Sequence, residues 1–250
     1  MHEPSIFLCH YSDWNMAHFQ HRFLPTLNAE DQVRFERFRH VDASHQFLIG
    51  RALLRHALSQ ALQQAPESFC FRQNKNGRPE LAGSSINFNV SHTEGLVAVT
   101  LAEAPLLGID VESAQRSGST LEIADRFFHP KETAAITAPN QEAQQRENFF
   151  RFWTLKEAYV KALGDGLQRS LQSFYFTLRQ QQVDLQDEKV PGNNRATHIY
   201  QYRVADNYFC TWASIDTTNP PMAPRFYSLS QDFTASPLML APEYRSAPNL

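Results

Sequence analysis

The chain has 250 residues, 42% of them hydrophobic and 12% aromatic, which is enough to bury a core and excludes a disordered chain. A net charge of −3 excludes a protein built as a whole for nucleic acid, so we expect no such partner. The start, MHEPSIFLCHYSDW, lacks the cationic residues and the long apolar run that make up a secretory signal. No segment reaches the ~18 apolar residues of a membrane span. We therefore expect a cytoplasmic protein without membrane contact.

The first part of the chain alternates strand-like and helix-like segments. An apolar run predicts a strand over residues 5–9, and helical spacing predicts helices over residues 28–39 and 43–62. The segment NKNGRPE carries Asn-Gly and Pro and predicts a turn. Three strands are predicted after it, over residues 86–90, 95–101 and 107–111.

The second part of the chain begins with helices and returns to strands. Two short helices are predicted over residues 120–128 and 130–137, and a long one over residues 142–163 before Gly164. Strands are predicted over residues 174–178, 198–204 and 208–215. The last thirty residues are rich in Pro and Ser, and we predict an irregular tail.

Two segments of the chain resemble each other. INFNVSHTEGLVAVTLAE and HIYQYRVADNYFCTWASI both give a strand, a short polar turn and an apolar strand, and each follows a helical region. This predicts an α+β fold of two similar halves, residues 1–115 and 116–220, followed by the irregular tail at residues 221–250. A cleft between such halves is the expected ligand site.

The segment LLGIDVES places Asp110 and Glu112 two residues apart in a predicted strand. Residues i and i+2 of a strand project from the same face, so both carboxylates point together, with Ile109 and Val111 on the other face. Adjacent carboxylates repel each other unless a cation or a proton relieves them. The alternative is a solvated strand end with two unrelated acids.

A second acidic residue pattern lies on the long predicted helix. Trp153, Glu157 and Lys161 repeat every four residues and share one face. The alternative is an ordinary Glu–Lys helix pair, worth only ~0.2–0.5 kcal/mol. Trp153 indicates instead a partly buried face, where a carboxylate needs a partner. Three carboxylates suit Mg²⁺, and because the chain lacks zinc motifs, the pattern predicts a magnesium site and a phosphate-bearing substrate.

Residues suited to bind phosphate lie in two other segments. FNVSHTEG places Ser91 and His92 at the end of a strand, where the hydroxyl, the imidazole and turn amides can donate to phosphate oxygens. NGRPEL presents Arg78 from a rigid turn, and a guanidinium matches phosphate in bidentate fashion. Each residue alone is more typical of an ordinary surface turn than of a phosphate site. Ser-His hydrolysis is disfavoured because the chain has no GxSxG elbow.

Taken in order, NGRPEL, FNVSHTEG, LLGIDVES and FFRFWTLKEAYVKALGDGL resemble the surfactin-type (Sfp-like) 4'-phosphopantetheinyl transferases. The resemblance covers residues 31–176 and extends loosely to residue 215. It implies a pseudo-twofold pair of α+β halves in one chain, hence a monomer. It also implies coenzyme A as substrate, Mg²⁺ as cofactor and an apo acyl or peptidyl carrier protein as partner.

The resemblance also implies roles for individual residues. Mg²⁺ would be held by Asp110, Glu112 and Glu157. Phosphate oxygens would be bound by Ser91, His92, Arg78 and Lys161, and the 3'-phosphate by Arg51 with Arg34 or Arg37. Two positions depart from the family pattern, because Asp31 replaces an expected basic residue and Phe47 a small hydroxyl.

The implied reaction is attack by a carrier-protein serine on the β-phosphorus of coenzyme A, releasing adenosine 3',5'-bisphosphate. Glu157 is the expected base, directly or through a metal-bound water, and Lys161 would stabilise the leaving phosphate. Ile123, Phe127 and Phe128 are either a docking patch beside Lys131 or ordinary core. Two other functions stay open, a Mg²⁺-dependent pyrophosphatase and a coenzyme A sensor without catalysis.

Overall fold

The predicted α+β class is confirmed by a computed structural model, which describes residues 3–74, 77–104, 106–118, 120–164, 169–187, 197–215 and 222–246. Contacts between Cα atoms divide the chain into two units. The first unit comprises Met1–Glu103 and Pro224–Met239, and the second comprises Ala104–Ala223 and Leu240–Leu250. No helix within the described ranges is long and apolar enough to cross a membrane.

The first unit is a five-stranded sheet with a long helix packed on it. Its helices are α1 (Met16–Phe23), α2 (Ala29–Glu36) and α3 (Val41–Leu62). Its strands are β1 (Ser5–His10), β2 (Phe71–Gln73), β3 (Pro79–Leu81), β4 (Asn87–Thr93), β5 (Leu96–Ala102), β11 (Arg225–Leu229) and β12 (Ala235–Leu238). The strand order is β12-β11-β1-β5-β4, and β2 and β3 form a separate hairpin. Helix α3 buries its apolar residues on β4 and β5, as its helical pattern predicts.

The second unit is a six-stranded sheet, again with a long helix on one face. Its helices are α4 (Thr120–Phe127), α5 (Pro130–Thr137) and α6 (Glu142–Leu163), which ends at the left-handed Gly164. Its strands are β6 (Leu106–Ser113), β7 (Phe174–Arg179), β8 (Gln182–Asp187), β9 (Thr197–Val204), β10 (Tyr208–Ile215) and β13 (Tyr244–Ser246). The strand order is β6-β10-β9-β13-β8-β7, and α6 packs on β6 and β10.

The described part of the C-terminal segment is not irregular, which corrects the prediction for residues 221–250. Strand β11 pairs in parallel with β1, β12 pairs with β11, and β13 lies between β9 and β8. These short strands form because they pair with strands that are distant in sequence, and their own Pro- and Ser-rich composition does not predict strand structure. Residues 247–250 lie outside the described residues, as do residues 75–76 of the predicted NKNGRPE turn.

The two units repeat one order of elements. Each has a strand, two short helices, a helix of 22 residues, a hairpin and a final antiparallel pair whose last strand returns beside the first strand. The two similar sequence segments noted above are the final pairs, β4–β5 and β9–β10. The expected boundary after residue 115 differs from the division after Glu103, because β6 belongs to the second sheet.

Each long helix carries a buried cation at an equivalent position. In α6, the Lys156 ammonium lies 2.7 Å from the Glu132 carboxylate, both side chains are fully buried, and Nζ also donates to the carbonyl oxygens of Leu171 and Phe174. In α3, Arg55 pairs at 3.9 Å with the buried Asp31. The acid lies in the short helix before the long one in both units, so both long helices are tied to the preceding helix.

We expect Lys156→Met to lower the free energy of unfolding by about 3–5 kcal/mol, because it leaves the Glu132 charge buried without its cation. Urea unfolding followed by circular dichroism measures the change. The double variant Glu132→Gln/Lys156→Met should recover part of the loss, since the amide carries no charge and still accepts a hydrogen bond from the Phe176 N–H. An unchanged midpoint for Lys156→Met would contradict the expectation.

Candidate active site

Strand β6 carries the predicted acidic pair, and both acids are buried. Asp110 and Glu112 lie opposite Thr211 and Phe209 of β10 in the antiparallel register. Side-chain exposure is only 7% for Asp110 and 9% for Glu112. The alternative of a solvated strand end is therefore wrong. Ionised carboxylates at this depth require cations near them.

Helix α6 brings Lys161 to the strand. The Lys161 Nζ donates to Asp110 Oδ1 at 2.7 Å and to the Ile109 carbonyl oxygen at 3.1 Å. Trp153 lies two turns earlier, half-buried, and stacks near Phe128 and Phe149. The predicted face of α6 therefore meets β6.

Glu157 belongs to the same cluster through its charge. Burial raises the pKa of the Glu157 carboxyl, and the negative charges of Asp110 and Glu112 raise it further. The Lys161 ammonium opposes this shift without cancelling it. Glu157 therefore holds a proton more readily than an ordinary glutamate does. Because both strand carboxylates repel the negative charge of Glu157, the three acids lie in one region of the second unit.

Arg116 is a functional candidate that the sequence analysis missed. Its Nη1 lies 2.8 Å from Glu112 Oε1, although 55% of the Arg116 side chain is exposed. Arg116 follows β6 in a turn closed by a hydrogen bond from its N–H to the Ser113 carbonyl oxygen. The sequence signal that could have identified it is a basic residue four positions after the strand carboxylate Glu112, because a turn at the end of the strand brings such a side chain back to the carboxylate.

Gly108 allows helix and strand to approach each other. A Cβ atom at this position would lie 2.0 Å from the Ala158 carbonyl oxygen and 2.6 Å from the Ala162 nitrogen. Because both obstacles are helix backbone, any other residue at position 108 would push α6 away from β6. The small side chains of Ala158 and Ala162, both buried, complete this contact.

A buried polar network fixes the rotation of α6 above the sheet. The Gln201 side-chain amide donates to the hydroxyls of Thr154 and Thr211, and the Thr211 hydroxyl lies 3.0 Å from that of Thr154. Thr154 lies one turn before Glu157, while Thr211 is the strand neighbour of Asp110. Satisfied buried networks specify a single arrangement, so this one sets the position of Glu157 relative to Asp110.

Ser91 and His92 lie inside strand β4, which corrects their predicted place in a turn. They pair in register with Ala98 and Val97 of β5, and the strand continues to Thr93. Consecutive strand residues point to opposite faces, so the two side chains diverge. Ser91 is buried and His92 exposed.

The predicted phosphate-binding arginines lie in the first unit. The Arg78 guanidinium is half-buried after Gly77 and donates to the Phe88 carbonyl oxygen at 3.3 Å. Arg51 pairs with Asp31 at 3.1 Å and lies over the rings of Phe47 and Phe71. Asp31 therefore offsets part of the charge of Arg51, because the same carboxylate also faces Arg55.

Arg34 and Arg37 are exposed on α2 and at its C-terminal end. The Arg34 guanidinium lies 5.1 Å from the centre of the Phe47 ring, so Phe47 supports it by a cation–π contact. Among the docking candidates, Phe128 is buried core whereas Phe127 is 45% exposed. Lys131 donates to the Tyr175 hydroxyl.

The carboxylate cluster has the donor chemistry of a hard divalent cation. Carboxylate oxygens are the ligands that Mg²⁺ prefers. In the part of the chain that the structure describes, however, no three His, Cys, Asp or Glu side chains are arranged to hold a metal ion as they stand. Two of the acids lie against cations, Asp110 against Lys161 and Glu112 against Arg116. Loading the site therefore requires these charges to rearrange.

Comparison with known proteins gives consistent matches. The sequence profile of the 4'-phosphopantetheinyl transferase superfamily matches residues 106–213, and that of the 4'-phosphopantetheinyl transferase N-terminal region matches residues 12–104. The 4'-phosphopantetheinyl transferase gsp of Aneurinibacillus migulanus is 32% identical over 191 residues, 76% of this chain and 76% of that protein. The 4'-phosphopantetheinyl transferase Sfp of Bacillus subtilis (strain 168) is 30% identical over 189 residues, 75% of this chain and 81% of that protein.

We expect Gly108→Ala to lower the free energy of unfolding by about 1–3 kcal/mol, because the added methyl overlaps helix backbone. Urea unfolding measures the loss, and NMR chemical shifts of the Lys161 ammonium should report a disturbed contact with Asp110. Gly50→Ala on α3 is the matched control. Its Cβ would meet Val90 at an ordinary 3.4 Å, so this variant should match or exceed wild-type stability. Equal stability of the two variants would contradict the close approach.

Proposed function

The chain belongs to the 4'-phosphopantetheinyl transferases, and from that membership we propose that it moves the 4'-phosphopantetheine arm of coenzyme A to a serine of a carrier protein in a Mg²⁺-dependent reaction. The proposed products are the holo carrier protein and adenosine 3',5'-bisphosphate. The proposed carrier is of the acyl, peptidyl or aryl type, as the family resemblance implies.

One observation carries this proposal, the meeting of α6 and β6. It gathers Asp110, Glu112, Glu157 and Lys161 from separate segments into one region of the second unit. We propose that the three carboxylates hold Mg²⁺. When bound, the ion neutralises charge on the pyrophosphate of coenzyme A. A protein that only bound coenzyme A would not need three mutually repelling acids, two of them buried, because their repulsion costs stability.

The proposed reaction is an in-line displacement. The serine oxygen forms a bond to the β-phosphorus, and the bond from that phosphorus to the bridging oxygen breaks. The serine proton passes to a Glu157 carboxylate oxygen, and adenosine 3',5'-bisphosphate leaves with the electron pair. The place of Glu157 on the face of α6 that meets β6 supports this role, because it lies in the same region as Asp110 and Lys161.

Lys161 is proposed to stabilise the leaving phosphate. Its ammonium is held by Asp110 and by the Ile109 carbonyl, so its position is set before substrate arrives. A preorganised cation costs little reorganisation during the reaction. In the first unit, Arg51, Arg78, Ser91 and His92 are proposed to bind phosphate oxygens of coenzyme A, on the strength of the family resemblance. The Asp31 partner makes Arg51 the weakest of these assignments.

Mass spectrometry of an apo carrier protein, mixed with this chain, coenzyme A and Mg²⁺, tests the reaction. We expect a mass gain of one phosphopantetheine arm, and no gain with Asp110→Asn because a metal ligand is lost. Hydrolysis of coenzyme A without a carrier protein would instead support a pyrophosphatase. Binding of coenzyme A without any turnover would support a sensor.

We expect Glu157→Gln and Arg78→Ala to affect different kinetic constants. The Gln side chain cannot accept the serine proton, so kcat should fall about 10²–10⁴-fold at saturating Mg²⁺, with KM for coenzyme A little changed. Arg78→Ala removes a phosphate contact and should raise KM with a smaller effect on kcat. Full turnover by Glu157→Gln would refute the base assignment, and an unchanged KM for Arg78→Ala would refute the phosphate contact.

A further inference from the structure

The two strand carboxylates of the site have cation partners of unequal exposure. Lys161, which holds Asp110, has 28% of its side chain exposed and also donates to a backbone carbonyl. Arg116, which holds Glu112, has 55% exposed. Among the described residues, the Arg116 guanidinium has no other hydrogen-bond or ion-pair partner. The Glu112 pair is therefore the more easily opened of the two.

The backbone at Arg116 is anchored, so opening the pair moves only the side chain. The Arg116 N–H donates to the Ser113 carbonyl oxygen, and the Gln115 N–H donates to the Ser113 hydroxyl. The turn also follows directly from β6, whose register with β10 extends to Ser113. Rotation about the long Arg116 side chain can therefore release Glu112 without disturbing the strand.

The charges at the site explain why such a partner is useful. Asp110, Glu112 and Glu157 repel each other, and Lys161 offsets only part of this repulsion. A guanidinium at 2.8 Å from Glu112 supplies a second positive charge in the absence of a metal ion. Only the Arg116 end of this ion pair is exposed, so solvent screens part of its attraction, and a divalent cation with other carboxylates nearby can take its place.

We propose that Arg116 is a positioning residue that acts as a resident counter-charge for Glu112 and is exchanged for the metal ion when the site loads. This proposal rests on the proposed magnesium site. It adds to that assignment a determinant of metal affinity. In the substrate-free enzyme, the metal ion competes with Arg116 for the Glu112 carboxylate. Arg116 holds the Glu112 carboxylate in place through the ion pair, and breaking this pair is the cost of metal binding.

The test measures Mn²⁺ binding to the full chain by electron paramagnetic resonance, without coenzyme A. Mn²⁺ is a suitable probe because it takes the same oxygen ligands as Mg²⁺. Arg116→Gln removes the competitor and should bind Mn²⁺ about two- to fivefold more tightly than wild type, as expected for the loss of one ion pair whose cation is half exposed. Arg116→Lys restores a competing cation and should return toward the wild-type affinity.

Arg179→Gln is the matched control, since it makes the same charge change at an exposed position on β7 of the same unit. It should leave Mn²⁺ affinity near the wild-type value, which separates a local competition from a change in net charge. An affinity for Arg116→Gln that equals that of Arg179→Gln, or that is weaker than wild type, would overturn the proposal.

Asp110→Asn distinguishes this failure from failure of the magnesium site itself. If Asp110→Asn abolishes Mn²⁺ binding while Arg116→Gln has no effect, the metal site stands and the role of Arg116 is refuted. If Asp110→Asn leaves Mn²⁺ binding unchanged, the carboxylates do not hold the ion, and both proposals are refuted. Equal urea midpoints of wild type and Arg116→Gln would show that folding does not account for a difference.

Discussion

The contact between helix α6 and strand β6 at Gly108 is the constraint on which the site depends. A side chain there would overlap the Ala158 carbonyl oxygen, so the distance from helix to strand is set by the absence of one Cβ atom. That distance lets the Lys161 ammonium reach Asp110 at 2.7 Å. It also places Glu157 where burial raises the pKa of its carboxyl and the strand carboxylates raise it further. Packing and electrostatics are thus coupled through one glycine.

The buried pair of Glu132 and Lys156 anchors the same helix on a second face. Lys156 precedes Glu157 directly, and adjacent helical residues point about 100° apart. One residue therefore locks α6 to α5 and the turn before β7, while the next faces the acidic cluster. Asp31 and Arg55 repeat the arrangement in the first unit. There, however, Asp31 also pairs with Arg51, a cation that the family resemblance assigns to phosphate, and so offsets part of its charge.

Much of the fold and part of the site could be predicted from local patterns. Helical spacing located the long helices, and the likeness of two segments located the final strand pair of each unit. Four short motifs, taken in their order along the chain, were sufficient to identify the family. Local patterns failed where a distant partner decides the structure. Ser91 and His92 continue a strand because β5 offers partners for them, and the C-terminal strands exist because β1, β8 and β9 have free edges to receive them.

The sequence alone determined which side chains share a face. The i, i+2 relation of Asp110 and Glu112 and the i, i+4 relation of Glu157 and Lys161 follow from backbone geometry that any strand or helix has. Only the tertiary structure decided which faces meet, which acids are buried and which cation each acid holds. Burial and pairing depend on contacts between segments far apart in the chain, and Arg116 reaches Glu112 only through the particular turn that follows β6.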